Sequence, residues 1–236
     1  MSHRFVVGPG SIAGGRAALD GEQARQIATV LRLEPGERVV LVCEGDEVEV
    51  VLDRVGPRSV EGAVVARGPA PAEPRVRLVL ALSVLKGDRT EAVIASVTQL
   101  GVAGIAPYVS ARSVVRDVGE AKRRRWLRVA TEAAETSRRG RVPEIAPLAT
   151  WPALFDALPA PVLVAWEGER QRALADALTA TDVISLVIGP EGGLEDDEVT
   201  RARERGATTV SLGRRNLRSE TAAVAAVAQA MAALDR

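Results

Sequence analysis

Residues 183–198 read Val183-Ile184-Ser185-Leu186-Val187-Ile188-Gly189-Pro190-Glu191-Gly192-Gly193-Leu194-Glu195-Asp196-Asp197-Glu198. Val183–Ile188 is apolar at every position but Ser185, the pattern of a strand covered on both faces. Three glycines around one proline then make a tight loop whose backbone can approach a ligand closely. Glu195 to Glu198 place acidic groups at the positive end of a helix starting at Leu194. Peptide N–H groups at such a strand-to-helix turn can hold polar ligand atoms.

The same unit recurs on either side. Arg75–Leu85, Ala103–Val109, Pro161–Trp166 and Thr208–Leu212 read as strands. Asp88–Leu100, capped by Asp88 and stopped by Gly101, reads as a helix, as do Val118–Arg139, Arg170–Leu178, Leu194–Arg205 and Ser219–Leu234, the last with Ser219 as its N-cap. Strict alternation predicts an α/β domain with a parallel sheet covered on both sides. Thr221–Leu234 is apolar nearly all round, which predicts a buried helix and, at the end of a chain of this size, a subunit interface. Before residue 75 the pattern differs. Gly68-Pro69-Ala70-Pro71-Ala72-Glu73-Pro74 is too rich in proline for a helix or central strand, and marks a domain boundary. Upstream of it, Arg4–Val7, Arg38–Cys43, Val48–Arg54 and Ser59–Ala66 read as short strands around one helix near 20–31, predicting a small β-barrel. The expected domains are 1–70 and 75–236.

Composition removes several chemistries. The chain has 236 residues, with one cysteine, Cys43, and one histidine, His3. A disulfide framework, a thiolate or multi-histidine metal site and a Ser-His-Asp triad are not expected. No metal is expected. Met1–Val7 includes Arg4 and lacks a long apolar run, and Thr221–Leu234 is too short to span a bilayer, so a cytoplasmic protein without a membrane partner is expected.

The 31 basic and 31 acidic side chains balance, but unevenly along the chain. Residues 121–141 hold eight basic and two acidic groups, a net +6, while 142–236 hold nine and fourteen, a net −5. The +6 stretch reads either as a phosphate-binding stripe or as a solvated helix face. All basic residues but Lys86 and Lys122 are arginine, which reads either as the side chain suited to bidentate phosphate recognition or as a genome-wide bias toward Arg and Ala.

Gly8-Pro9-Gly10-Ser11-Ile12-Ala13 fits a dinucleotide fingerprint in letters, but no helix follows it, so it reads as a loop. More informative is Leu212-Gly213-Arg214-Arg215-Asn216-Leu217-Arg218-Ser219-Glu220-Thr221-Ala222. It follows a strand and opens the apolar helix, where Arg218 and Glu220 are costly unless paired or functional.

Together with Ile188–Gly193, this stretch resembles the bacterial 16S rRNA (uracil-N3)-methyltransferase family of the SPOUT superfamily, whose members use S-adenosylmethionine. The likeness extends over nearly the whole chain through Val30-Leu31-Arg32 with Pro35-Gly36, Lys86-Gly87-Asp88, Leu100-Gly101-Val102 with Pro107, Arg112-Ser113, and Arg141-Val142-Pro143-Glu144-Ile145. The chain departs from the family at Gln26, Ser96, Gln99, Ala111 and Thr136.

The resemblance implies an N-terminal PUA-like β-barrel that binds RNA and a C-terminal SPOUT α/β domain with a deep trefoil knot that forms a homodimer. It implies methyl transfer to N3 of the decoding-centre uridine, in 16S rRNA or the assembled small ribosomal subunit. The cofactor pocket would be formed by Trp166 and Glu167, by Ile188, Gly189, Pro190, Glu191, Gly192 and Gly193, and by Leu212, Gly213, Leu217 and Arg218. Arg218 would stabilise charge on the uracil oxygens and Glu220 would take the N3 proton, directly or through water. RNA contacts would come from Arg4, Arg32, Lys86, Arg112, Arg116, Arg138, Arg139 and Arg141. Two other readings are a ribose 2′-O-methyltransferase acting on tRNA and a non-enzymatic RNA-binding or ribosome-assembly factor.

Overall fold

A computed structural model describes residues 3–235. They form two compact units, one of residues 3–73 with 134–142 and one of 74–133 with 143–235. The division falls at Glu73 and Pro74, within the proline-rich stretch. Residues 134–142, expected in the second domain, belong with the first unit. Glu73 holds them: its carboxylate accepts from Arg139 Nε at 2.9 Å and Nη2 at 3.1 Å, and from the amides of Gly140 and Arg141 at 2.7 and 3.1 Å.

The first unit comprises β1 (His3–Val6), β2 (Ile12–Ala13), β3 (Arg16–Asp20), β4 (Arg38–Cys43), β5 (Asp46–Val55) and β6 (Ser59–Pro69). A short helix α1 (Gly21–Arg25) runs into a π-helical turn at Gln26–Val30. The strand order is β1-β4-β5-β6-β3-β2. The expected barrel is not found: the sheet is an open path among the described residues. Its ends are β1, paired with β4, and the two-residue β2, paired with β3. Along β5 alternate residues Val48, Val50 and Leu52 point inward, onto Phe5, Ile27 and Leu41. The β2–β3 hairpin turns at Gly14 and Gly15, whose φ of +56° and +75° suit a primed turn.

From Arg77 the chain alternates: β7 (Arg77–Ser83), α2 (Arg89–Gln99), β8 (Gly104–Val109), α3 (Glu120–Thr136), β9 (Glu144–Ile145), β10 (Ala149–Thr150), α4 (Trp151–Ala157), β11 (Val162–Ala165), α5 (Leu174–Ala177), β12 (Val183–Ile188), α6 (Asp196–Glu204), β13 (Thr208–Val210) and α7 (Ser219–Leu234). The strand order is β10-β8-β7-β12-β11-β13, with β9 also on β8, and every pairing is parallel. Leu186 of β12 lies between Leu80 of β7 and Leu163 of β11. These central strands are buried almost throughout, as expected of a sheet with helices on both faces.

The helix ends differ in detail from expectation. Asp88 occupies the N-cap of α2 without a side-chain cap bond, and Arg218, not Ser219, is the N-cap of α7. At α6 the acidic residues form a capping box: the Glu195 side chain accepts the Glu198 amide, and Glu198 accepts the Glu195 amide at 3.0 Å. Helix α7 buries one face, Ala223, Ala226, Val227, Ala230 and Met231, but leaves Thr221 and Gln229 exposed, so its own chain does not bury it all round. Among the described residues no helix is long and apolar enough to cross a membrane.

Candidate active site

Loops from the carboxyl ends of β11, β12 and β13 converge on one cavity of about 640 Å³, a size typical of small-molecule sites. Ligands in α/β sheets bind at this end of the strands.

The first loop supplies Trp166 and Glu167. The Trp166 amide donates to Val210 O at 3.1 Å, and its ring lies so close over Gly168 that a Cβ there would be 2.3 Å from it. Behind the wall, Glu169 accepts the amides of Gln171 and Arg172 at 2.8 and 3.2 Å and the Thr209 hydroxyl at 2.7 Å. These bonds, that from the Gln171 N–H foremost, hold its carboxyl at a pKa of about 2. Arg203 donates to Thr209 at 2.8 Å and stacks over the Trp166 ring at 5.2 Å.

The second loop supplies Gly189 to Gly193. Its turn closes through the Gly193 amide on Pro190 O at 2.9 Å. Gly193 has a φ of +72°, which favours glycine, and a Cβ there would sit 2.3 Å from Glu167 Oε1, so the first two loops meet closely at this point. Glu191 accepts the Lys86 amide at 3.0 Å and faces Arg89 at 3.5 Å. The strand end below is held by the Tyr108 hydroxyl, which donates to Ile188 O at 2.9 Å. Burial, then the Glu198 charge, pushes this phenol well above its ordinary pKa, so it remains a donor.

The third loop supplies Leu212, Gly213, Leu217 and Arg218. It is tied to the first by the Ser211 amide on Arg172 O at 2.8 Å and the Leu174 amide on Ser211 O at 3.0 Å. Thus Trp166, Glu167, Ile188, Gly189, Pro190, Glu191, Gly192, Gly193, Leu212, Gly213, Leu217 and Arg218 all line one cavity. Glu220 does not; its Oε2 is buried without a hydrogen-bond partner. Arg89, Arg170, Arg214 and Arg215 also line the cavity. No local pattern marks these four as cavity residues, although Arg214 and Arg215 lie in the stretch 212–222 that opens the apolar helix.

The expected RNA contacts divide between the units. In the second, Lys86 is exposed; Arg112 Nη1 donates to Gly192 O at 3.1 Å; Arg116 donates to Ser110 O at 2.9 Å and Ala111 O at 2.5 Å. In the first, Arg32, Arg138 and Arg141 are exposed. Arg4 and Arg139 do not fit the expectation. The Arg4 side chain is 12 % exposed and paired with Glu47 at 2.7 Å. Arg139 is 2 % exposed and its guanidinium is taken by Glu73. Neither presents a free fork to a phosphate. Of the departures from the family pattern, Ala111 acts through its backbone, its amide donating to Glu198 Oε1 at 2.8 Å. No cluster of His, Cys, Asp and Glu able to hold a metal ion occurs among the described residues.

Residues 72–231 match the model of a family described as RNA methyltransferase domain. Ribosomal RNA small subunit methyltransferase E of Bacillus subtilis (strain 168) is 31 % identical over 218 residues, 87 % of this chain and 85 % of that protein. The Mycobacterium bovis protein of the same name is 34 % identical over 228 residues, 91 % of this chain and 85 % of its own. The structure of the Neisseria gonorrhoeae ribosomal RNA small subunit methyltransferase E bound to S-adenosyl methionine is similar with a TM-score of 0.90 at 29 % identity, covering 99 % of this chain and 98 % of that one. A Legionella pneumophila structure in complex with the same cofactor has a TM-score of 0.89 at 28 % identity, with 99 % and 98 % covered.

Proposed function

The chain belongs to the ribosomal RNA small subunit methyltransferase E family, and from that premise we propose that it methylates N3 of a decoding-centre uridine in 16S rRNA. It is an S-adenosylmethionine-dependent methyltransferase. The observation that carries the reading is the convergence of the three loops on one cavity walled by Gly189, Gly192, Gly193 and Gly213, with Arg218 at its edge.

That wall fits the cofactor by its chemistry. Gly189, Gly192 and Gly193 bring bare backbone to the cavity wall, and Ile188, Leu212 and Leu217 offer apolar surface to a purine. When bound, S-adenosylmethionine supplies an electrophilic methyl group on its sulfonium. Placing the acceptor in line with it is worth about 7–11 kcal/mol of the barrier. Uracil N3 is protonated and neutral at pH 7, so the chain must also stabilise its anion. Arg218 serves as the cation beside the uracil oxygens. Glu220, which lies off the cavity wall, accepts the N3 proton through water. N3 is on the pairing edge, so the base is engaged unpaired or flipped out.

The same reading covers the finer architecture: an RNA-binding first unit, a trefoil knot made by the loops at residues 165–168, 188–193 and 212–218, and a cytoplasmic homodimer packed through the side of α7 that its own chain leaves uncovered. Arg32, Lys86, Arg112, Arg116, Arg138 and Arg141 remain as RNA contacts. Primer extension on 16S rRNA from a strain lacking the gene tests the reaction. A methyl on N3 blocks pairing and stops reverse transcriptase. The stop is expected to vanish on deletion and return on complementation; a stop that persists overturns the reading.

A further inference from the structure

The cavity carries a charge imbalance that its cofactor does not relieve. Five arginines line it against two glutamates. Glu191 is engaged by the Lys86 amide and Arg89. Arg170, Arg214 and Arg215 are exposed, and among the described residues no carboxylate pairs with any of them. S-adenosylmethionine has a sulfonium and an ammonium against one carboxylate, so it enters as a net cation. One carboxylate is satisfied by a single bidentate guanidinium, which leaves most of these arginines without a counter-ion. A net cation bound among unpaired guanidinia calls for an anion from elsewhere. The planar fork of arginine matches phosphate oxygens.

We propose that Arg170, Arg214 and Arg215 hold backbone phosphodiesters of the RNA flanking the reacting base, and that this polyanion offsets the charge of the cationic cofactor. RNA and cofactor then tighten each other's binding, by the same factor in both directions. The inference rests on the reading of the chain as an rRNA methyltransferase and names the part of the cavity that receives the strand.

The test is a triple variant, Arg170→Gln, Arg214→Gln and Arg215→Gln, all at exposed positions. Its binding to small ribosomal subunits from a strain lacking the gene is titrated over a range of KCl concentrations, and calorimetry follows S-adenosylmethionine with and without the subunits. Each lost phosphate contact flattens the slope of log K against log salt by roughly 0.7–0.9, so a change of about 2–3 is expected. Without RNA, the variant binds cofactor no more weakly than wild type, and subunits no longer tighten that binding. An unmoved salt slope overturns the inference, and so does a tenfold loss of cofactor affinity without RNA, which makes these arginines cofactor ligands. Methyl transfer by the wild type to the same subunits separates this from the reading beneath it. Transfer with an unmoved slope sinks the inference alone, whereas no transfer sinks the assigned reaction.

Discussion

Glu198 accepts the amide of Ala111, 87 positions away, at 2.8 Å. Its other oxygen accepts the Glu195 amide at 3.0 Å, so a carboxylate that is 6 % exposed has both oxygens bonded to backbone. This joins the loop carrying Arg112 and Arg116 to the start of α6, directly after the glycine-rich loop. Arg112 reinforces the link through Gly192 O. Replacing Glu198 by Gln turns one acceptor into a donor facing an N–H. Stability is expected to fall by about 1–3 kcal/mol, read from urea unfolding. RNA affinity should fall with it, because the loop bearing Arg112 loses its anchor. An RNA affinity equal to wild type, measured well below the unfolding midpoint, means the joint does not serve the RNA side.

Arg139 and Glu73 make the opposite case, an arginine expected at the RNA surface that holds a fold together. The Arg139 side chain is 3 % exposed, and Glu73 also binds two backbone amides. Glu73→Ala removes the carboxylate that the buried guanidinium and the two amides share, and is expected to cost about 3–5 kcal/mol. Arg141→Ala, at an exposed side chain, should cost about 0.5 kcal/mol or less. Denaturant midpoints of the two variants compare these directly, and similar losses would count against the burial argument.

Gly168 and Gly193 are tight for different reasons. A Cβ at Gly168 meets the Trp166 ring at 2.3 Å, and one at Gly193 meets the flexible end of Glu167 at the same distance. The ring is held by Arg203, whereas the Glu167 carboxylate can swing away. Gly168→Ala is therefore expected to weaken S-adenosylmethionine binding more than tenfold and to alter tryptophan fluorescence. Gly193→Ala, limited to left-handed strain of about 1 kcal/mol and a side-chain shift, should cost severalfold. The reverse order in calorimetry would show that the second loop, not the indole, sets the fit.

Much of this arrangement was legible in the chain. Arg38–Cys43, Val183–Ile188 and Ser219–Leu234 have the bounds expected of them, because apolar runs with clear breakers identify buried elements. The cavity-lining loops stood out because glycine and proline cluster after strands. What escaped depends on distant partners. Arg170–Leu178 reads as a helix, yet only Leu174–Ala177 forms one, since Glu169 captures the Gln171 and Arg172 amides and holds them in a turn. The β2–β3 hairpin was hidden by its shortness. Burial of Arg139 follows from a glutamate 66 positions away, which no local pattern reports.

Glu169 gives a pH prediction. Hydrogen bonds from the Gln171 amide and then the Thr209 hydroxyl lower its pKa to about 2, below the ordinary value of 4.5. A carboxyl lowered on folding contributes stability above its unfolded pKa and loses it as pH falls through the folded value. The difference in urea midpoint between wild type and Glu169→Gln should be widest at and above about pH 5 and close toward pH 2. A difference independent of pH would mean that the ionised form is not what the loop uses.

Arg218 and Glu220 stand two residues apart at the start of α7, but only Arg218 lines the cavity. The glycine loop Gly189–Gly193 and the apolar side chains Ile188, Leu212 and Leu217 line the cavity independently of this guanidinium, so removing it should leave that wall in place. Arg218→Ala is expected to retain S-adenosylmethionine binding within severalfold while methyl transfer falls by about 100-fold or more, the scale for losing one group that stabilises developing charge. If calorimetry shows cofactor binding lost together with transfer, Arg218 is a cofactor ligand. Glu220→Gln separates the proton path from the charge. Transfer should drop by about 100-fold at neutral pH and recover as pH rises toward the uracil pKa, where the base ionises without help. Wild-type rates in Glu220→Gln at every pH would remove Glu220 from the reaction and leave the N3 proton to solvent alone.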